Sequence, residues 1–175
     1  MTTDHIHPQK AATSTVYIIK NLADYNLWAN AILINYLRKK PFEVLQKAVP
    51  SSFPSIKATI VNIWQTQVYW LSVIRKFPVN THEEFTGSLE EAFDLLIEQS
   101  EEMADYIAVL NPEVMEDTTL VVNPRFQSNF QNFEYIVQAI NHSTFKRGQI
   151  VAIGQMFGFT DTPTTDYNYY NIMGK

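Results

Sequence analysis

The spacing of apolar residues constrains this chain to a mostly helical fold. Over long segments, apolar side chains recur every three or four positions, which places them on one face of a helix. Only five glycines interrupt the 175 residues, so few positions favour a break in a helix. A hydrophobic content of 46% is enough for one continuous core. We therefore expect one all-α domain over residues 15–175, preceded by an N-terminal tail over residues 1–14.

Four segments carry the helical spacing. The predicted helices are helix one at about Thr15 to Lys39, helix two at about Pro54 to Lys76, helix three from Ser88 to near Asn111, and helix four at about Asn132 to Phe157. The Ser51–Pro54 segment supplies capping hydroxyls and an early proline for helix two. Ser88 and Glu91 have the spacing of a capping box, in which each side chain accepts from a free backbone N–H of the other residue.

A β-hairpin is predicted between helices three and four. Thr118 to Val122 is rich in β-branched and apolar residues, and Asn123-Pro124 can turn the chain before Phe126 to Phe130. The tail after Gly158 contains Pro163 and closely spaced tyrosines, and it predicts an extended strap rather than a further helix.

Composition and charge exclude several classes of protein. The net charge is −5 and Lys and Arg are scattered along the chain, so we expect no nucleic-acid partner. No apolar stretch reaches the roughly 18 residues of a membrane span. The N-terminal residues lack a secretion signal and the chain has no cysteine, which together indicate the cytoplasm. An acidic cluster is expected to form a solvated helix face; it comprises Glu90, Glu91, Asp94, Glu98, Glu101, Glu102 and Asp105.

Helix two is apolar on more than one side. Val61, Val68, Tyr69 and Val73 lie outside its main apolar stripe. A helix of this kind packs against more than one neighbour. A central position in the bundle and a homodimer interface both explain the pattern.

Common catalytic motifs are absent from the sequence. The glycines form neither a phosphate-binding loop nor a nucleophile elbow. The sequence also lacks the Glu-x-x-His motif of di-iron bundles, so that class of protein is disfavoured. His82-Glu83 lacks the second histidine of a zincin helix. His5 and His7 lie in a polar terminal segment, where metal binding would be adventitious.

Several local patterns, in a fixed order, carry a family resemblance. They are Tyr25-Asn26-Leu27-Trp28-Ala29-Asn30, then Asn62-Ile63-Trp64 with Trp70, then Asn141-His142-Ser143-Thr144-Phe145-Lys146-Arg147-Gly148-Gln149, and the closing Thr164 to Tyr170 segment. From about Thr15 to Tyr170 the chain resembles the DinB-like family. The resemblance implies an up-down-down-up four-helix bundle with a short β-hairpin before the last helix, often paired as a homodimer. It also implies zinc or nickel bound by one histidine of helix two and two of helix four, and relatives include thiol transferases and a thiol-dependent isomerase.

The implied metal site departs from the family pattern at two of three positions. His142 matches the first ligand of helix four, but Lys146 stands at the second and Asn62 at the ligand position of helix two. Catalytic zinc needs about three protein ligands, so one histidine should not hold the metal. Gln67 is neutral at a position where relatives commonly have an acidic residue, so less negative charge is available near the implied metal site. We therefore expect no bound metal and no cofactor.

The candidate site consists of these positions and three neighbours. His142 and Lys146 are the candidate catalytic residues, and Asn26, Gln67 and Gln149 are assigned to the pocket or its surroundings. Asn26 and Gln67 fall within apolar stripes, so each needs a hydrogen-bond partner in the core. The Lys146 ammonium is predicted to bond Asn62 and His142 or a bound anion, and like-charge repulsion should keep His142 neutral.

Three functions are consistent with the sequence. The first is a family member without metal chemistry, whose pocket between helices two and four binds a small molecule. The second is an enzyme, either a metal-dependent hydrolase or thiol transferase with substitute ligands, or one that uses Lys146 and His142 as base or nucleophile. The third is a homodimeric protein-interaction module. The sequence does not identify a substrate for any of them.

Overall fold

A computed structural model describes residues 8–50, 53–77 and 84–175 of the chain. These residues form four long helices, three short ones and an antiparallel hairpin. In chain order the elements are α1 (Pro8–Leu37), α2 (Phe42–Leu45), α3 (Ile56–Ile74), α4 (Leu89–Val109), α5 (Pro112–Glu116), β1 (Thr118–Asn123), β2 (Phe126–Gln131), α6 (Asn132–Met156) and α7 (Tyr167–Met173). Helices α1, α3, α4 and α6 are the predicted helices one to four.

Two layers of the core define the direction of each long helix. One layer joins the end of α1 and the end of α6 to the beginnings of α3 and α4, through residues that include Leu37, Ile153, Ile56 and Leu89. The other layer joins the opposite ends, through residues that include Ile19, Tyr135, Ile74 and Ile107. Helices α1 and α6 therefore run one way and α3 and α4 the other. The up-down-down-up bundle is confirmed.

The helix starts agree with the predicted caps at one position and differ at another. Glu91 N donates to Ser88 Oγ at 3.1 Å and Ser88 N donates to Glu91 Oε2 at 2.6 Å, so the capping box of α4 is confirmed. The predicted cap of α3 within Ser51–Pro54 is wrong. Ser55 caps this helix by accepting from Ala58 N at 3.1 Å, because the extended backbone of Ser55 directs its hydroxyl toward the first free amides.

Helix α1 begins earlier than the sequence pattern predicts. It starts at Pro8 rather than at Thr15. Proline suits the first turn of a helix, and Ala11 and Ala12 are strong helix formers. The periodic apolar pattern marks only the part of the helix that faces the core. The first helical residue predicted from that pattern is therefore too far along the chain.

The hairpin is confirmed, and each strand is one residue longer than predicted. Asn123 makes its turn by accepting from Arg125 N at 2.9 Å and Phe126 N at 3.1 Å through its side-chain oxygen. A side chain that bonds the backbone two residues on replaces a backbone turn. The tip of the hairpin is thereby fixed, with Arg125 and Phe126 at a defined place.

The tail is extended only up to Asp166, so the prediction of a strap without a helix is wrong. Asp166 caps α7 by accepting from Tyr169 N at 2.9 Å. Tyr170 then packs against Tyr25 and Trp28 of α1, with ring centroids 5.8 and 5.4 Å away. Burial of these aromatic rings stabilises a helix too short to form alone.

The predicted acidic face of α4 lies in solvent. Its acidic residues are exposed apart from Glu90, which is half-buried. Arg38 pairs with Glu90 at 2.6 Å and with Asp94 at 2.5 Å, and Arg75 pairs with Glu102. Exposed pairs of this kind contribute little to stability, about 0 to 1 kcal/mol each.

The apolar surface of α3 is shared among several neighbours. This helix contacts α4, α6 and β1, and Val61, Tyr69 and Val73 pack half-buried against the core. Its central position therefore accounts for much of the broad apolar surface. Among the described helices, none combines the length and apolar character of a membrane span.

A buried polar network lies between the two core layers. Arg147 of α6 is 2% exposed. Its Nη1 donates to Asn26 Oδ1 at 3.1 Å and to Asn30 Oδ1 at 2.8 Å. Its Nη2 donates to Tyr25 Oη at 3.0 Å and to Thr144 Oγ1 at 2.9 Å. The guanidinium is therefore held by neutral oxygen atoms.

The two asparagines of α1 extend this network to the other long helices. Asn26 Nδ2 donates to Gln67 Oε1 of α3 at 3.2 Å, and Asn30 Nδ2 donates to Ser100 Oγ of α4 at 2.9 Å. Asn26 and Gln67 are 1% and 0% exposed. The expectation that both face the core and need a partner there is confirmed, and they bond each other in addition to Arg147 and Ser100.

Arg147→Met should lower the free energy of unfolding by about 3 kcal/mol or more, because it leaves several buried acceptors without a donor. Urea unfolding followed by circular dichroism measures the change. Arg38→Met, which removes an arginine bound to exposed carboxylates, is the matched control and should cost under about 1 kcal/mol. Equal stability of parent and Arg147→Met would contradict a stabilising role of the network.

Candidate functional site

A cavity of about 800 Å³ opens between α3, α6 and the tip of the hairpin. Its wall comes from the segment before α3, one side of α3, the hairpin turn and one side of α6. The lining residues are Phe53, Asn62, Gln65, Thr66, Tyr69, Trp70, Asn123, Pro124, Arg125, Phe126, His142 and Lys146. The cavity is the size of a typical small-molecule site, roughly 300 to 1,000 Å³.

The three positions that the family resemblance assigns to metal ligands all line this cavity. Asn62 lies on α3, and His142 and Lys146 lie one helical turn apart on α6. Residues four apart on a helix share a face, so both α6 side chains reach the same space. Since Arg147 faces the core, the residue before it points about 100° away around α6, into the cavity.

Lys146 is buried and its bonds differ from those predicted. Its side chain is 5% exposed. The ammonium donates to Gln149 Oε1 at 2.9 Å and lies 3.8 Å from the ring centroid of Phe53. The predicted hydrogen bonds to Asn62 and His142 are not among its contacts, so that part of the prediction is wrong. Gln149 is three residues away on the same helix face, and the phenyl ring attracts a cation.

His142 and Asn62 each carry a buried polar atom that remains unpaired. Within the described part of the chain, His142 Nδ1 and Asn62 Oδ1 have no hydrogen-bond partner. Such atoms are costly in a folded protein and are often found at functional sites. Both residues line the cavity, where a bound molecule could satisfy these atoms.

The electrostatic environment keeps the imidazole neutral. Burial, and secondarily the charge of Lys146, lowers the pKa of His142 to about 4. Burial also lowers the pKa of Lys146 from its usual value. The predicted neutral state of His142 at pH 7 agrees with this direction.

A search among known proteins gives the family of the chain. The sequence model of the DinB family matches residues 10–173. The chain belongs to the DinB family. It is 25% identical over 175 residues to Protein DinB of Bacillus subtilis (strain 168), an alignment that covers 88% of this chain and 94% of that protein.

The metal site that the family resemblance implies does not fit the residues described at this cavity. The three positions supply one imidazole, one amide and one ammonium, and the ammonium repels a cation. In the regions that the structure describes, no group of three or more His, Asp or Glu residues could hold a metal ion. His5, His7 and His82 lie outside the described residues. Because catalytic Zn²⁺ typically needs about three protein ligands, the side chains described at this cavity do not suit that ion.

The three remaining predicted residues are not among those that line the cavity. Asn26 and Gln67 bond each other in the core and do not line the cavity, while Gln149 acts through its bond to Lys146. Gln67, which carries no charge, is part of the buried polar network, where its side-chain oxygen accepts from Asn26. Its amide Nε2 has no partner among the described residues.

The aromatic and basic residues that line the cavity were not predicted from the sequence as site residues. Trp70 stacks on Tyr135 at 5.0 Å and on Phe126 at 6.3 Å between ring centroids, and Phe53 lies under Lys146. Arg125 and Phe126 come from the hairpin turn. Clustered aromatic residues at a predicted turn were the available signal, but their approach to α3 depends on tertiary packing.

The titration of His142 should make stability depend on pH. The folded protein holds this imidazole neutral and the unfolded chain protonates near pH 6.5, so its contribution is present above pH 6.5 and is lost as pH falls toward 4. The shift corresponds to about 3 kcal/mol, which solvent screening of the partly buried ring reduces to about 1 to 2 kcal/mol.

Urea unfolding of the parent and of His142→Gln at several pH values between 4 and 8 tests this. The neutral variant should lose less stability than the parent on acidification, by about the amount given above. Carboxylates and the other histidines titrate in both proteins and cancel in the comparison. Parallel stability profiles would contradict the assigned pKa direction.

Proposed function

We propose that this DinB-family protein binds a small molecule in the cavity between α3 and α6, and that it does so without a metal ion. The observation that carries the proposal is the buried Lys146 ammonium in the cavity wall, at a position where the family resemblance implies a metal ligand. A fixed positive charge there takes the electrostatic place of the cation. The cavity and its two unpaired polar atoms are thereby available to an organic ligand.

The unpaired atoms support binding over a purely structural role. A core that had merely lost a metal site would be expected to fill the space or to pair its polar groups. Here Asn62 Oδ1 and His142 Nδ1 are buried without partners in the described structure, beside a cavity of about 800 Å³. A ligand that hydrogen-bonds these atoms would recover their desolvation cost.

A second candidate is an enzyme that uses Lys146 and His142 directly. Burial lowers the pKa of both groups, which favours a neutral imidazole as base and increases the fraction of neutral amine. Metal-dependent hydrolysis or thiol transfer with substitute ligands has less support, because no Asp or Glu is among the described residues that line the cavity.

The protein purified without an affinity tag should contain no stoichiometric zinc or nickel. Asn62→His with Lys146→His should create a site with three imidazoles and bind zinc. Elemental analysis and zinc titration measure both outcomes. In that background His142→Ala should abolish binding. Tight one-to-one metal binding by the parent, lost in His142→Ala, would overturn the metal-free function and support the metalloenzyme.

We also propose that the protein is a cytoplasmic homodimer. Absence of cysteine suits a reducing compartment. Apolar side chains near the end of α3 and on β1 support pairing, since Phe77, Leu120 and Val122 are 70%, 59% and 68% exposed. Exposed apolar residues that lie together are typical of protein interfaces. A homodimeric interaction module is compatible with ligand binding in the cavity of each chain.

Light scattering at micromolar concentration should give about twice the 20.2 kDa mass of the chain. The mass should stay at that value over a moderate dilution series if the interface is stable. A monomer at every concentration would refute the homodimer and would leave the bundle fold and the ligand-binding proposal unaffected.

A further inference from the structure

The charge of the cavity wall selects the charge of its ligand. Lys146 and Arg125 are the cationic side chains of the wall. Among the described residues neither takes part in an ion pair, and none of the lining residues is acidic. Lys146 is also 5% exposed. A buried cation with no counter-ion among the described residues favours an anionic ligand, which supplies the missing charge.

The amount of charge favours a carboxylate over a phosphate. Lys146 supplies one buried positive charge, and Arg125 is exposed at the rim. Phosphate groups are usually held by several cations, by forked arginine contacts or by the N-terminus of a helix. The cavity meets α6 at His142 and Lys146, well after its start at Asn132. The single positive charge of the buried ammonium therefore balances the single negative charge of a carboxylate.

The aromatic side chains indicate a flat apolar body between the polar groups. Trp70 and Phe126 lie in the wall with their rings stacked 27° apart, and Tyr69 meets Trp70 edge to face at 4.9 Å. Because Trp70 packs on Tyr135 and Phe126, most of the exposed ring surface belongs to Phe126, which is 42% exposed. Exposed aromatic surface binds other rings by stacked or edge contacts, which a flat aromatic ligand makes better than a flexible chain does.

The unpaired acceptor requires a donor on the ligand. Asn62 Oδ1 is buried without a partner in the described chain, and an amide oxygen can only accept. The neutral imidazole of His142 also has one nitrogen that accepts. His142 lies one helical turn from Lys146, roughly 5 to 6 Å along the face. A hydroxyl on the ring, about this far from the carboxylate, would lie at the level of His142, and Asn62 lines the same cavity.

We propose that the ligand of the cavity is a small aromatic carboxylate that carries a hydroxyl group across the ring. Lys146 binds the carboxylate, Trp70 and Phe126 contact the ring, and Asn62 accepts from the hydroxyl. This inference rests on the proposed function, because it assigns a chemical class to the ligand of the same cavity. In the structure the Lys146 ammonium donates one hydrogen bond to Gln149. It would donate a second hydrogen bond to the carboxylate of the ligand.

Isothermal titration of the full-length protein with four probes tests the assignment. The probes are meta-hydroxybenzoate, para-hydroxybenzoate, benzoate, which lacks the donor, and meta-hydroxybenzamide, which lacks the charge. One or both hydroxybenzoates should bind about tenfold or more tightly than benzoate and than the amide, since each lost charged or hydrogen-bonded contact costs at least this factor.

Variants locate the contacts. Lys146→Met should weaken the acids by about tenfold or more and leave the amide unchanged, because methionine keeps most of the apolar stem. Asn62→Leu should reduce the hydroxybenzoates to the affinity of benzoate. Lys39→Met is the matched control, because it removes the same charge from an exposed lysine outside the cavity; it should leave every affinity unchanged.

The outcomes separate the ligand class from the cavity itself. Thr66 lines the cavity, so Thr66→Trp should fill it and abolish binding of every probe. If the amide binds as well as the acids, or if Lys146→Met leaves the acids unaffected, the carboxylate assignment is overturned and the cavity remains. If neither hydroxybenzoate binds at millimolar concentration, the assignment is also overturned. Probe binding that survives Thr66→Trp would refute the proposed function as well.

Discussion

The buried guanidinium of Arg147 is the constraint on which the bundle and its cavity depend. It lies between two apolar layers and is held by oxygen atoms of α1 and α6 alone. Removing a charge from water is costly unless its donors are satisfied, so its partners must stay in place. Asn26 and Asn30 accept from Nη1 and donate in turn to Gln67 of α3 and Ser100 of α4, while Nε has no partner among the described residues. These bonds link Arg147 to all four long helices and constrain their relative rotation.

That rotation determines what faces the cavity. With Arg147 directed into the core, His142 and Lys146 occupy the neighbouring side of α6 and line the same cavity as Asn62 of α3. The family resemblance implies a divalent cation at this face. Here the Lys146 side chain carries a positive charge, and Gln149 and Phe53 stabilise it. This charge is the basis for our proposal that the cavity binds an anion.

Sequence patterns predicted the parts of the structure that depend on local chemistry. Apolar periodicity located the four long helices, the Ser88/Glu91 spacing located the start of α4, and Asn123-Pro124 located the hairpin turn. The convergence of Asn62, His142 and Lys146 followed from the family resemblance, because residues 80 positions apart in sequence carry no local signal of contact.

Features that depend on tertiary contacts were not predicted from the sequence. The short α7 is stabilised by Tyr25 and Trp28 of a distant helix, and the partner of Lys146 depends on which oxygen atom its flexible stem can reach. The aromatic wall combines Phe126 of the hairpin with Trp70 of α3. Each case joins segments that are far apart in sequence, so no window of neighbouring residues contains the signal.

We propose that an ammonium, and not a metal ion, provides the positive charge of this cavity. Anomalous diffraction at the zinc edge, from crystals of the untagged protein grown with excess zinc, tests this most directly. We expect no zinc bonded to His142 and a Lys146 ammonium within about 3 Å of Gln149 Oε1. A zinc ion bonded to His142, with Lys146 displaced from the cavity, would contradict it.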